Sequence, residues 1–195
     1  GHLLFEASPY QEKRSTFLVD PLTKKIAPLE QSVSFHEDLL LSGLRYGIKN
    51  FLTSIGMEKV VIGISGGIDS AVNAALYRSV LPKENLLLVN TPTIFNSETT
   101  KKLARQVASN LETFFTEIPI TQSIETSVAS LDGLKIISPT DEKTLHISDF
   151  MKENMQARDR SSRILSALSA AFGGIFTCNA NKTELSVGYG TLYGD

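Results

Sequence analysis

The sequence predicts an α/β fold, a doubly wound parallel sheet with helices on both faces, and three observations carry that prediction. From residue 58 onward, short apolar runs alternate with longer amphipathic stretches, which is the pattern of strands joined by crossover helices. The first run, Val60-Val61-Ile62-Gly63-Ile64, is apolar without alternation, so both of its faces are buried. With 195 residues, 42% of them hydrophobic and 21% charged, the chain is long enough for one domain with a substantial core.

Residues 1–33 mix Pro, Lys and polar residues around one short β-like run, Phe17-Leu18-Val19, and read as a linker or interdomain segment. A helix is expected from Ser34, three residues before Glu37 as in a capping box, with Leu40, Leu44, Ile48 and Phe51 or Leu52 repeating at helical spacing toward a core. Lys59–Ile64 is the first strand and 69–80 the helix after it. Leu86–Val89 is the second strand. The helix 97–111 should be pinned to the sheet by Leu103, Val107 and Leu111. Phe114–Ile118 makes a third strand. The polar stretch 121–147 is expected to hold a short helix near 124–131 and a mobile loop. Residues 149–172 carry the longest helical pattern, with Met151, Met155, Ile164, Leu165, Leu168 and Phe172 apolar, and Gly173-Gly174 stops it. Ile175-Phe176-Thr177 is the fourth strand.

Composition excludes several classes of function. The 19 Lys and Arg against 21 Asp and Glu leave a net charge of −2, which gives no electrostatic footprint for nucleic acid. One Cys and three His allow neither an internal disulfide nor a Cys-rich zinc site, and the cytosol is the expected compartment. No apolar run reaches the roughly 18–20 residues that span a membrane, and the N-terminus lacks the pattern of a signal peptide.

The segment richest in chemistry is Gly63-Ile64-Ser65-Gly66-Gly67-Ile68-Asp69-Ser70, where a buried strand turns into a helix. Adjacent glycines allow positive φ and leave no Cβ in the way, so successive N–H groups can face one concavity. The helix dipole and the hydroxyls of Ser65 and Ser70 add to an anion site suited to pyrophosphate. Asp69 would repel such a ligand unless Mg²⁺ lay between them, so it reads as a metal ligand. In an open parallel sheet this loop lies at the carboxyl ends of the strands, where ligands bind. It is neither a Walker P-loop, lacking the Lys-Ser/Thr, nor the GxGxxG of dinucleotide folds.

SGGxDS resembles the PP-loop of the ATP pyrophosphatases, which cleave ATP between the α and β phosphates and pass AMP to an acceptor. Two later segments narrow the resemblance. Glu153-Asn154-Met155-Gln156-Ala157-Arg158-Asp159-Arg160 is similar to the ENxQAR-R segment of NAD synthetases, and Asn181-Lys182-Thr183-Glu184 followed by Gly188-Tyr189-Gly190-Thr191-Leu192-Tyr193-Gly194-Asp195 is similar to their NKxE…GYxTxYGD run. The lead-in helix, with Gly43-Leu44-Arg45, looks like that of the glutamine-dependent members. The chain thus resembles the synthetase portion of a glutamine-dependent NAD synthetase, over residues 34–195, with an adenine-nucleotide alpha-hydrolase-like fold.

That resemblance implies ATP-dependent amidation of deamido-NAD by ammonia, through an acyl-adenylate, with release of AMP and pyrophosphate. It implies ATP contacts from Gly63 through Ser70 and from Asn179, Mg²⁺ on Asp69 and Glu184 as the catalytic carboxylates, and deamido-NAD contacts from Asn154, Arg158 and Glu184. A homodimer is implied as well. Asn154 and Arg158, four apart, share one face of the long helix. No residue reads as a covalent nucleophile, so positioning is expected to supply much of the rate.

Plainer readings stand beside these. Arg158 and Arg160 would also serve as ion-pair partners of Glu153 and Asp159, Glu184 as a first-turn helix residue, and Cys178 as a small residue at a strand end. The alternatives in function are another PP-loop ligase, GMP synthetase-like or tRNA-thiolating, and an inactive nucleotide-binding module. The chain also departs from the family pattern. Asn179 stands where relatives have a Thr on ATP, Asn90-Thr91-Pro92-Thr93-Ile94-Phe95-Asn96-Ser97 replaces the more usual MPSxYSS, and the family continues past Tyr-Gly-Asp to a lysine on ATP. A chain cut at both ends is therefore expected, lacking the glutaminase domain, binding ATP–Mg²⁺ weakly and making little NAD.

Overall fold

The computed structural model describes residues 9, 10, 12, 14, 16, 22, 36–94, 96–188 and 190. The β-like run 17–19, Ser34 and Asp195 lie outside them. The elements run α1 (His36–Ser54), β1 (Val60–Gly63), α2 (Ile68–Arg78), β2 (Leu86–Asn90), α3 (Glu98–Leu111), β3 (Phe114–Glu117), α4 (Thr121–Leu131), β4 (Lys135–Ile137), β5 (Glu142–Thr144), α5 (Asp149–Arg158), α6 (Ser166–Phe172), β6 (Ile175–Phe176) and α7 (Lys182–Val187).

Four strands form one sheet in the order β3-β2-β1-β6, with each neighbouring pair parallel. The register aligns Val60 with Leu86 and with Ile175. Strand alternation sorts the apolar residues of β1 to opposite faces. Val60, Ile62 and Ile64 join Leu52, Ala74, Leu86, Leu88, Ala104 and Ala108 in one core, under α1, α2 and α3. Val61 joins Val89, Ile120, Ile164 and Leu165 in a second core, on the face covered by the 149–172 helix. One unbroken apolar run thus feeds both layers, as expected for a doubly wound sheet. Ile62 is fully buried in the first core, and Ile62→Val should cost about 1 kcal/mol of stability; a urea unfolding midpoint unchanged by the substitution would contradict that packing.

After β3 the chain crosses back to lay β6 on the far side of β1. The strand order therefore reverses between β1 and β6, and the crevice at the carboxyl ends of those strands is the topological switch point at which open α/β sheets bind ligands.

Three expectations need correction. α1 forms, but Leu40 is 59% and Phe51 54% exposed; only Ile48 and Leu52 of that stripe reach the core, at the C-terminal end of the helix. On α3, Val107 and Leu111 pack inward beside the buried Ala104 and Ala108, whereas Leu103 is 42% exposed; small residues bring that helix close to the sheet. Within 121–147, α4 begins at Thr121, earlier than expected, and β4 and β5 form an antiparallel hairpin. A Lys135–Glu142 ion pair of 2.6 Å spans that hairpin. Its strands are three residues each and exposed throughout, too short and polar to show a period of two.

The helix over 149–172 is continuous in backbone, with Arg158, Asp159 and Ser166 all near φ −65°, but it widens into a π-type stretch at Asp159–Leu165. Serine hydroxyls take up carbonyls around the widened turns: Ser161 Oγ donates to the Ala157 carbonyl (3.2 Å) and Ser162 Oγ to that of Arg158 (2.5 Å). Gly173, at φ 79°, ends the helix in the left-handed cap that the glycine pair predicts.

Candidate active site

At the switch point lies a cavity of about 660 Å³. Its floor is the loop after β1, held in shape by its own hydroxyls. Gly67 N donates to Ser65 Oγ (3.2 Å), and Ser70 Oγ donates to the Gly67 carbonyl (3.1 Å). Because the Ser70 hydrogen is committed there, the 3.1 Å contact between the two hydroxyls must run from Ser65 Oγ to Ser70 Oγ. Ser65 N also donates to Ser70 Oγ (3.2 Å). These bonds close a ring around Gly67, which caps α2 with no side-chain bond. The first-turn N–H groups of α2 therefore have neither an intrahelical partner nor a capping side chain, which is an anion-binding arrangement.

The two glycines do different work. Gly66 takes φ +87°, and a Cβ on it would stand 2.2 Å from the Thr100 carbonyl oxygen of α3. Gly67 has an ordinary extended backbone, φ −84° and ψ 164°. Only one of the pair thus needs positive φ, and it fastens the loop to α3.

Of the residues expected to bind ATP, Gly63, Ile64, Ser65, Asp69, Ser70 and Asn179 line the cavity. Gly66 and Gly67 are not among the lining residues, and Ile68 is 73% exposed. Asp69 has no hydrogen-bond or ion-pair partner among the described residues. Glu184 reaches the same cavity from α7, where its Oε2 accepts from Asn181 N and its N–H donates to Asn181 Oδ1, each at 2.9 Å. The capping box explains its orientation; one carboxylate oxygen remains outside it. Two carboxylates of a hard oxygen donor set thus share one cavity with an anion-binding loop, which fits Mg²⁺ completed by phosphate oxygens.

Asn179 is heavily engaged. Its Nδ2 donates to the Gly63 carbonyl (2.6 Å), while its Oδ1 accepts from Asn73 Nδ2 (2.6 Å) and Thr177 Oγ1 (3.1 Å). It ties the exits of β1 and β6 together through α2, so its position frames the crevice as well as lining it.

On the long helix, Glu153, Asn154, Ala157, Arg160 and Ser161 face the cavity; Arg158 is not among the lining residues. At roughly 100° per residue, Arg158 stands about 40° beyond Asn154, on the side away from Ala157. Arg160, seven residues after Glu153 and three after Ala157, lies on the same face and lines the cavity. Burial draws the Arg160 guanidinium below its ordinary value, against the opposing charge of Asp159. Asp159 itself is committed elsewhere: Arg163 grips it with two 2.6 Å bonds and Ser123 Oγ donates at 2.9 Å. The Arg163 bond holds the Asp159 carboxyl below its usual range. A depressed pKa stabilises the fold above the unfolded value and is lost as pH falls through the folded one. Asp159→Asn should therefore flatten the fall in thermal stability below about pH 4; an unaltered acid limb would show that the clamp contributes nothing.

The sequence model of the NAD synthase family matches residues 40–195. The chain belongs to the NAD synthase family. It is 35% identical, over 86% of its length, to a glutamine-dependent NAD(+) synthetase of Thermotoga maritima, and spans 28% of that relative. Among solved structures it is similar to a glutamine-dependent NAD+ synthetase from Acinetobacter baumannii in complex with ADP, at a TM-score of 0.84 and 28% identity, covering 98% of this chain and 35% of that one. An NMN synthetase from Francisella tularensis follows at 0.69 and 26%, covering 83% and 61%. NAD synthase membership also identifies the sheet as the adenine-nucleotide alpha-hydrolase fold. Membership of that family does not favour the GMP synthetase-like and tRNA-thiolating alternatives. Among the described residues, no helix is long and apolar enough to cross a membrane.

Proposed function

We propose that this chain carries the amidation site of an NAD synthetase, converting deamido-NAD to NAD at the expense of ATP. The observation that supports this most is the gathering of the Ser65–Ser70 loop, Asp69, Glu184 and Asn154, distant in sequence, around one cavity at the switch point. A carboxylate is a poor electrophile. Its oxygen therefore attacks the α-phosphorus of ATP, the bond to the bridging oxygen breaks, and pyrophosphate leaves. Ammonia then attacks the activated carbonyl carbon, AMP leaves with the oxygen it gained, and a proton is lost to solvent.

The loop and the first-turn N–H groups of α2 hold the phosphates. Asp69 and Glu184 would hold Mg²⁺, which when bound supplies charge neutralisation at the phosphates. Asn154 orients deamido-NAD from the long helix, and Arg160, with its charge poorly solvated beside the same cavity, takes the anionic part of that substrate in preference to Arg158. Asn179 contributes by holding the crevice as well as by facing ATP. A homodimer, a cytoplasmic setting and a glutaminase as the source of ammonia belong to this reading.

The test is to incubate the chain with deamido-NAD, ATP, Mg²⁺ and ammonium and to quantify products. NAD and AMP in equal amounts are expected; ADP in place of AMP would contradict the proposed cleavage. Nicotinate mononucleotide in a parallel arm reports whether the shorter substrate is also used.

A further inference from the structure

Asn73 belongs to α2, three residues after Ser70 and on the same side of the helix, yet it is not among the residues that line the cavity. Its Nδ2 reaches the exit of β6, where it donates to Asn179 Oδ1 at 2.6 Å and to Thr177 Oγ1 at 3.2 Å. Thr177 is anchored to the sheet, since its N donates to the Val61 carbonyl at 3.1 Å, and its hydroxyl donates to Asn179 Oδ1 at 3.1 Å. The Asn179 oxygen thus accepts two hydrogens, one for each lone pair. One hydrogen of Asn179 Nδ2 goes to the Gly63 carbonyl at 2.6 Å. Flipping the Asn179 amide would set its oxygen against that carbonyl, and flipping the Asn73 amide would set oxygen against oxygen, so both orientations are fixed. Asn179 is half-buried and lines the cavity. What its side chain has left to offer there is the second Nδ2 hydrogen, for which the described residues provide no partner.

We propose that Asn73 is a positioning residue for nucleotide binding: together with Thr177 it occupies the Asn179 oxygen, so that Asn179 meets bound ATP only as a hydrogen-bond donor. The inference rests on the nucleotide reading above. An asparagine side chain free to turn presents its oxygen as readily as its nitrogen, and an amide oxygen turned toward ionised phosphates would repel them. The Gly63 bond alone holds one nitrogen hydrogen and leaves the rest of the amide free to swing about it. The two bonds on the oxygen remove that freedom before the ligand arrives, so binding does not have to supply the ordering. Asn73 carries no charge and stands outside the cavity lining, so its effect on the ligand passes through Asn179.

The experiment is calorimetric titration of the full chain with ATP in the presence of Mg²⁺, on the wild type, Asn73→Leu, Asn179→Ala and the double variant, each after a thermal melt confirms folding. Leucine keeps the size of Asn73 and removes its donors. Asn73→Leu should weaken ATP binding about tenfold by itself and by less than about twofold where residue 179 is already alanine. A residue that merely stabilised the fold would weaken binding alike in both backgrounds, so equal losses would overturn the inference, as would Asn73→Leu binding ATP within about twofold of the wild type. A second measurement needs no variant to fold: the side-chain amide resonances of Asn179 in the ¹⁵N-labelled wild-type chain should shift on saturation with Mg²⁺ and ATP, and resonances that stay in place would overturn the inference as well. A wild-type chain that binds no ATP in the first titration would overturn the nucleotide reading itself, a different and separately visible failure.

Discussion

Asp69→Asn abolishes the Mg²⁺ dependence of ATP binding and lowers NAD formation by about 10²–10³-fold. The expectation follows from the placement of this carboxylate. It sits in the first turn of α2, beside N–H groups that favour an anion, yet it faces the cavity proposed to take the phosphates. Without a cation, carboxylate and phosphate repel one another; with one, they are its shared oxygen ligands. Asn keeps the size and the helix position while removing the charge, so the fold should survive and the metal term alone should go. Titrating ATP with and without Mg²⁺ separates the two. A wild-type dependence on Mg²⁺ that persists unchanged in the variant would remove Asp69 from the metal site and leave Glu184 as its carboxylate.

Gly66→Ala should destabilise the chain by about 2–4 kcal/mol and weaken ATP binding together. Two penalties coincide there. A non-glycine residue at φ +87° is strained, and its Cβ would meet the backbone carbonyl of Thr100 at 2.2 Å, a neighbour that cannot rotate away. Relief requires α3 to retreat or the loop to lift, and lifting disturbs the hydroxyl ring around Gly67. Gly67→Ala is the control: its backbone is extended, and its Cβ would stand 3.3 Å from Ser65 Oγ. It should be the milder of the two in urea unfolding, while still perturbing the hydroxyl ring. Equal tolerance of alanine at both positions would mean that the loop is not fastened to α3 as described.

The parallel sheet was legible because Val60–Ile64 is apolar on both faces and because Ser65–Ser70 follows it directly. The covering of both its faces is borne out by the division of β1 side chains between two cores. Less was legible where tertiary contacts override local pattern. Leu40, Leu44 and Phe51 have helical spacing, but only the end of α1 touches the sheet, and the sequence holds no record of that. The β4–β5 hairpin is too short to show periodicity. The π-type stretch is an omission, since it depends on backbone widening supported by Ser161 and Ser162, whereas Arg160, seven residues after Glu153, shares its helix face by ordinary spacing.

In the proposed reaction the carboxylate of deamido-NAD attacks the α-phosphorus of ATP in this cavity. Deamido-NAD labelled with ¹⁸O in that carboxylate tests it most directly, with ATP, Mg²⁺ and ammonium supplied and the products read by mass spectrometry. One labelled oxygen is expected in AMP and none in pyrophosphate; unlabelled AMP, or label recovered in inorganic phosphate, would overturn the proposed attack.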